Sequence, residues 1–190
     1  MLMLEEMICR EGEVLPGNVL KVGSFLNQRI DSGLLREMGR EIARLFAAEA
    51  VNKVLTIESS GIAIAAAAAL ELEVPMVFAK KHKTSNMDGD IYSTVVHSYT
   101  HGTDYNVAVS RDYLGPEDRV LLVDDFLANG AALQGLIRLV RMAGAGLAGA
   151  AVAIEKRFQG GGGAVRAQGI RVEALASIAS MDGGTVRFTR

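Results

Sequence analysis

Hydrophobic positions recur along this chain in two ways, at about 3.6-residue spacing or as short continuous runs, and each implies an element. Residues 2–10 carry the helical spacing and stop near Gly12. Asp31 or Ser32 can cap the next helix, whose positions Leu34, Leu35, Met38, Ile42, Leu45 and Phe46 form one apolar stripe. The run "KVLTIE" (53–58) reads as a short buried strand. Ser59 and Ser60 stand where they can cap "IAIAAAAALELE", whose alanines favour helix and permit close packing on a sheet. "PMVFAKK" (75–81) is the next strand.

From residue 82 to 110 the character changes. "HKTSNMDGD" is a polar, glycine-bearing tip, and the alternating "IYSTVVHSY" and "NVAVS" predict a hairpin. Residues 120–123 form another buried strand, 130–142 a helix and 148–156 a strand. A glycine run at 160–163 reads as a flexible turn, and strand-like pieces follow at "RVEAL" and "TVRFT". Strands alternating with helices predict an α/β fold, a mostly parallel twisted sheet with helices on both faces. The stretch 82–110 stands out as a flexible hairpin loop, too long for a simple connection, and its tip at 84–90 is expected to be a mobile lid. In such sheets ligands sit at the carboxyl ends of strands. Four segments with chemistry fall there: 58–61, 80–83, 124–132 and 155–156.

Composition narrows the class. A chain of 190 residues, 49% apolar and 22% charged, predicts one domain spanning 1–190 with a real core. The net charge of −2 gives no basic footprint for nucleic acid, and no apolar run is long enough for a membrane span. Glu5 and Glu6 interrupt what a signal peptide would need to keep apolar, and the lone Cys9 reads as a small apolar filler in a reducing compartment. A soluble cytoplasmic protein is the expectation. His82, His97 and His101 lack metal-ligand spacing, so no protein-built metal site is expected.

The stretch "VLLVDDFLANGAAL" (120–133) carries the most information. A buried strand runs into Asp124 and Asp125, followed by the small-residue turn Ala128, Asn129, Gly130, Ala131, Ala132 and a helix start. Helix starts offer unpaired N–H groups and a positive dipole end to phosphate, and small side chains let the anion approach the backbone. Two carboxylates beside a phosphate are suited to accepting hydrogen bonds from neighbouring hydroxyls. A phosphate pocket beside a diol-binding acid pair describes a ribose 5-phosphate site.

That stretch resembles the ribose-phosphate motif of the type I phosphoribosyltransferases. With "VLKVGSFLNQRID", "TIESSGIA", "VFAKKHKT" and "IEKRFQ", the whole chain is similar, in order, to the bacterial xanthine-using branch of that family. The resemblance implies a purine salvage enzyme that joins xanthine to phosphoribosyl diphosphate (PRPP), giving xanthosine 5′-monophosphate and diphosphate. It also implies a small base-binding hood, drawn from residues 1–30 and 157–190. Asp124 and Asp125 match the acids on the ribose hydroxyls, and residues 128–132 match the 5′-phosphate loop. Leu20, Asn27 and Lys156 match base contacts, and Phe126 a position packing on the purine ring. Glu58, Ser59, Ser60 and Gly61 match the diphosphate loop, with Lys81 as the cation beside it. The family uses Mg²⁺ bridging PRPP oxygens, which suits a hard ion held mainly by substrate phosphates. A homodimer is implied as well, in keeping with a Leu- and Met-rich helical face near the N-terminus.

Departures from the wider family are informative. Asn129, Ala131 and Ala132 leave the phosphate loop with backbone donors and one amide. Ala128 stands where some 6-oxopurine enzymes carry an acid, so the base must ionise readily, as xanthine does, with Lys156 polarising it. A donor at Lys156 also disfavours adenine, whose amino group needs an acceptor. The paired acids could instead serve a response-regulator domain, but the required third Asp is missing between Asp125 and Asp182. A PRPP-sensing repressor would carry a DNA-binding module and a basic surface, and this chain has neither.

Overall fold

The computed structural model describes residues 1–82, 90–98 and 102–189. In chain order it contains α1 (Leu2–Glu11), β1 (Glu13–Leu15), β2 (Val19–Lys21), a π-helical turn (Gly23–Asn27), α2 (Ser32–Phe46), β3 (Lys53–Ile57), α3 (Gly61–Leu72), β4 (Met76–His82) and β5 (Ile91–Ser98). There follow β6 (Thr103–Ser110), β7 (Arg119–Leu127), α4 (Ala131–Met142), β8 (Gly146–Lys156), α5 (Gly161–Arg166), β9 (Val172–Ser180) and β10 (Arg187–Phe188).

Continuous apolar runs make strands buried on both faces, and the sheet is built from them. Its order is β10-β9-β8-β7-β3-β4-β6-β5, parallel from β9 through β4 and antiparallel at both edges. On β7, Leu121 and Val123 join the core under α2 and α3, while Val120 and Leu122 join the core under α4. All four are buried completely, and each such side chain contributes roughly 1.5–3 kcal/mol through burial. Asp31 caps α2 as the sequence predicts, its Oδ1 accepting from Leu34 N–H at 2.9 Å. The small residues bring α2 and α3 close: a Cβ on Gly39 would stand 2.7 Å from the Ala67 backbone.

Three local expectations are corrected. Cys9 is exposed on α1, because it falls on the face opposite Leu4, Met7 and Ile8. Neither Ser59 nor Ser60 caps α3 through its side chain. The glycine run opens α5 and is no flexible turn. The hairpin expected within 82–110 is present, with β5 paired to β6 along its full length, and β6 also pairs with β4 in the main sheet. Residues 84–89 of the expected mobile tip lie outside the described residues. Of the C-terminal stretch expected to serve as hood, β9 is a full parallel strand of the main sheet.

The parallel sheet reverses its winding between β3 and β7. The chain steps from β3 to β4 on one side, then from β7 to β8 and β9 on the other. The crevice opened by such a reversal, at the carboxyl ends of β3 and β7, is where the side chains with chemistry gather.

Candidate active site

The acid pair lies inside β7, not beyond it, and this placement explains its electrostatics. Asp124 is buried and Asp125 half-buried. Burial and the adjacent Asp125 charge hold the Asp124 carboxyl well above the usual carboxylate range, although the Asp125 N–H and the Lys81 ammonium pull the other way. Asp125 N–H donates to Asp124 Oδ1 at 2.9 Å. The buried Asp124 carboxyl therefore keeps its proton to higher pH than an exposed aspartate would.

Across the crevice the carboxyl end of β3 turns through Glu58–Gly61 into α3. The Glu58–Ser59 peptide is cis. This turn is tied to β4, with Glu58 N–H donating to Ala79 O at 3.0 Å and Lys81 N–H donating to Glu58 Oε1 at 2.6 Å. Gly61 is required by space, because a Cβ there would overlap Thr56 Oγ1 and stand 3.1 Å from Asp124 Oδ1. The Lys81 ammonium stands 5.2 Å from the Tyr105 ring centre. The Tyr105 hydroxyl is pushed up by burial and, secondarily, by the Asp124 charge. A cleft of about 150 Å³ is lined by residues from all these segments, among them Glu58, Ser59, Ser60, Lys81, Asp124 and Asp125.

At the start of α4 the small-residue turn closes around Gly130, whose φ of +85° only glycine adopts readily. Asn129 Oδ1 accepts from Ala131 N–H at 3.1 Å. The N–H groups of Ala132 and Leu133 have no carbonyl within α4 to serve them, as at any helix start. The predicted phosphate loop is thus a backbone cradle, its one amide used to shape the turn.

The residues expected to meet the base come from distant segments. Asn27, at the end of the π-helical turn, donates from Nδ2 to Asp125 Oδ2 at 3.1 Å. Lys156, at the end of β8, donates to the Asn18 carbonyl at 2.7 Å, and its ammonium lies 5.3 Å from the Phe126 ring centre. Burial pushes the Lys156 ammonium below its ordinary value. Leu20 is buried on β2. Sequence reasoning missed Tyr105 and Thr56. Thr56 Oγ1 is fully buried and makes no hydrogen bond. Only its position at the crevice could have drawn notice.

Residues 32–163 match the model of the phosphoribosyl transferase domain. The chain belongs to the phosphoribosyltransferase family. Among its relatives, a xanthine phosphoribosyltransferase of Moorella thermoacetica is 52% identical over 186 residues, covering 98% of this chain and 95% of that protein. Another of Bacillus cereus is 50% identical, covering 100% of this chain and 96% of that protein. Among solved structures, the adenine phosphoribosyltransferase of Giardia lamblia complexed with 9-deazaadenine superposes with a TM-score of 0.79 at 22% identity, covering 93% of this chain and 98% of that one. The enzyme of Rhodothermus marinus gives 0.76 at 23% identity, covering 94% and 100%. At that identity the likeness speaks for the phosphoribosyltransferase fold alone. Among the described residues no helix is long and apolar enough to cross a membrane.

Proposed function

We propose that this protein transfers the 5-phosphoribosyl group from PRPP to xanthine, forming xanthosine 5′-monophosphate and diphosphate in purine salvage. The observation that carries the reading is the convergence of Glu58–Gly61, Lys81 and the acid pair on one cleft beside the helix-start cradle. The cradle N–H groups hold the 5′-phosphate, and Asp124 with Asp125 accepts from the ribose hydroxyls. Ser59 and Ser60, not spent on capping, face the diphosphate with Lys81. A proton retained by Asp124 limits its repulsion of the nearby phosphates.

In the reaction the bond from C1′ to the diphosphate oxygen breaks, and its electron pair leaves with diphosphate. A ring-nitrogen lone pair of xanthine forms the new bond to C1′. The base gives up its proton by ionising, since Ala128 offers no group to take it. Lys156 stabilises the negative charge on the oxo group, Asn27 meets the other edge and Phe126 packs on the ring. Mg²⁺ would be held mainly by the PRPP oxygens, since no cluster of side chains that could hold a metal ion occurs among the described residues. The ion supplies charge neutralisation of the departing diphosphate.

Two coarser features join the proposal. A cytoplasmic location fits the lone Cys9 and substrates of intracellular salvage. A homodimer is supported by exposed Leu2 and Met3, and by an apolar groove of about 470 Å³ that includes Phe78 and Tyr113. Sedimentation at micromolar concentration tests it, and a fully active monomer would remove it. Turnover with xanthine, guanine, hypoxanthine and adenine at fixed PRPP and Mg²⁺ tests the activity. Xanthine is expected to give the highest kcat/KM, and a preference for adenine would overturn the assignment.

A further inference from the structure

We propose that Glu155, Arg166 and the glycines between them form a strut that sets the position of the phosphate loop relative to Lys156, an inference that rests on the function proposed above. Glu155 is 2% exposed, beside Lys156 at the end of β8. Arg166, on α5, grips it with both guanidinium nitrogens, Nη1 to Oε1 at 2.6 Å and Nη2 to Oε2 at 2.9 Å. Arg166 Nη2 also donates to the Val172 carbonyl at 3.1 Å, and Ser177 Oγ lies 3.4 Å from Glu155 Oε2. The pair is planar, two-pronged and anchored on β8 and β9, the geometry in which an ion pair fixes position best.

The glycine run passes between this pair and the phosphate loop, touching both. Gly161 N–H donates to Ala128 O at 3.0 Å. A Cβ on Gly161 would overlap Ala128 O and Asn129 C, and one on Gly162 would overlap Glu155 Oε1. A Cβ on Gly130 would stand 3.3 Å from Gly161 Cα. Two backbones are therefore in direct contact at Ala128–Gly130, with no side chain between them to absorb a shift. Gly163 differs, because a Cβ there meets nothing within 4 Å. The glycines at 161 and 162 are thus demanded by contact, and the one at 163 is not.

The consequence is a fixed span between the two ends of the cleft. Lys156 is one residue from Glu155, and the loop proposed to hold the 5′-phosphate rests on Gly161. Glu155 and Arg166 are positioning residues, acting on substrate only through these neighbours.

The test measures ribose 5-phosphate binding by calorimetry, with steady-state KM for PRPP, kcat and melting temperature. Gly161→Ala and Arg166→Lys are compared with Gly163→Ala and the unaltered protein. A displaced loop is expected to weaken ribose 5-phosphate binding and raise KM for PRPP about tenfold or more in Gly161→Ala. Arg166→Lys keeps the charge but loses the two-pronged grip, so it should move both quantities the same way by less. Gly163→Ala should match the unaltered protein. A purely structural role would lower the melting temperature of the folded variants and leave their binding and KM unchanged, and that result overturns the strut. Should Gly161→Ala fail to fold, Arg166→Lys decides by the same readouts. Failure of the unaltered protein to bind ribose 5-phosphate would overturn the underlying function, and the strut with it.

Discussion

Between Asp124 and Ala132 one unbroken stretch supplies the proposed ribose and phosphate end of the cleft, largely through backbone N–H groups and two adjacent acids. The proposed base end draws Leu20, Asn27 and Lys156 from distant segments and adds Phe126 from within that same stretch, with contacts such as Asn27 to Asp125 and Lys156 to Asn18. The first end owes its shape to local geometry, a strand, a turn and a helix start. The second exists only after the sheet has formed and the β1–β2 hairpin has come to rest near the end of β8. On the proposed function, recognition of a sugar phosphate rests on a local unit, while base choice rests on long-range placement.

The sharpest way to break this comparison is at the acids. Asp124→Ala with Asp125→Ala is expected to lower kcat/KM on the order of 10³-fold or more while the far-ultraviolet spectrum stays unchanged. Near-normal turnover in that variant would sink the ribose assignment. Lys156→Ala should act on the other end. Loss of a partly buried donor costs about 1–3 kcal/mol, so discrimination among xanthine, guanine and hypoxanthine should fall by roughly 10–100-fold. Its KM for PRPP should change little. Unaltered relative rates would show that Lys156 does not read the base.

A smaller effect is expected in stability against pH. The Asp124 carboxyl is raised in the folded protein, so above the ordinary aspartate range, about pH 4, the folded state holds a proton that the unfolded chain has released. Stability of the free protein should therefore fall as pH rises from there through the folded value, and then level. Asp124→Asn should flatten that segment of the curve in chemical denaturation at a series of pH values. An identical slope in both proteins would mean that Asp124 is not the group responsible.

The smallest change is expected in hydrogen exchange. β5 and β6 are fully paired, and α4 grips them through Arg138, which donates to Thr94 Oγ1 at 2.8 Å and Val95 O at 2.7 Å. PRPP with Mg²⁺ should raise protection within residues 82–90 and leave both strands as they were. Equal protection with and without substrate across 82–106 would end the lid proposal, though Lys81 could still contact diphosphate.

Several features were legible without coordinates because they are decided locally. Asp31 caps α2 since its side chain and the Leu34 N–H are neighbours in any helix start. The strand, acid pair and small-residue turn before α4 could be read for the same reason, and their order led to the expectation of a sugar-phosphate site. The short strands β1 and β2, at three residues each, leave no periodic trace. Ser59 and Ser60 have the residue type of caps, but the turn presents them to the cleft. The glycine run has the composition of a loop, and only contact with the Ala128 carbonyl and the Glu155–Arg166 pair makes it the start of a helix.

By itself the sequence determined the order of the longer elements, the parallel α/β class and the residue types that stand at the ends of β3, β4, β7 and β8. Apolar periodicity, caps and turn residues act over a few neighbours, and their energies are written in adjacent side chains. The tertiary structure alone decided the rest. It buried Asp124 and so raised its carboxyl, carried Asn27 to Asp125 across 98 residues of chain, and pressed Gly161 onto the phosphate loop. Those outcomes depend on desolvation and close contact between segments far apart in the chain, which exist only once the sheet is assembled.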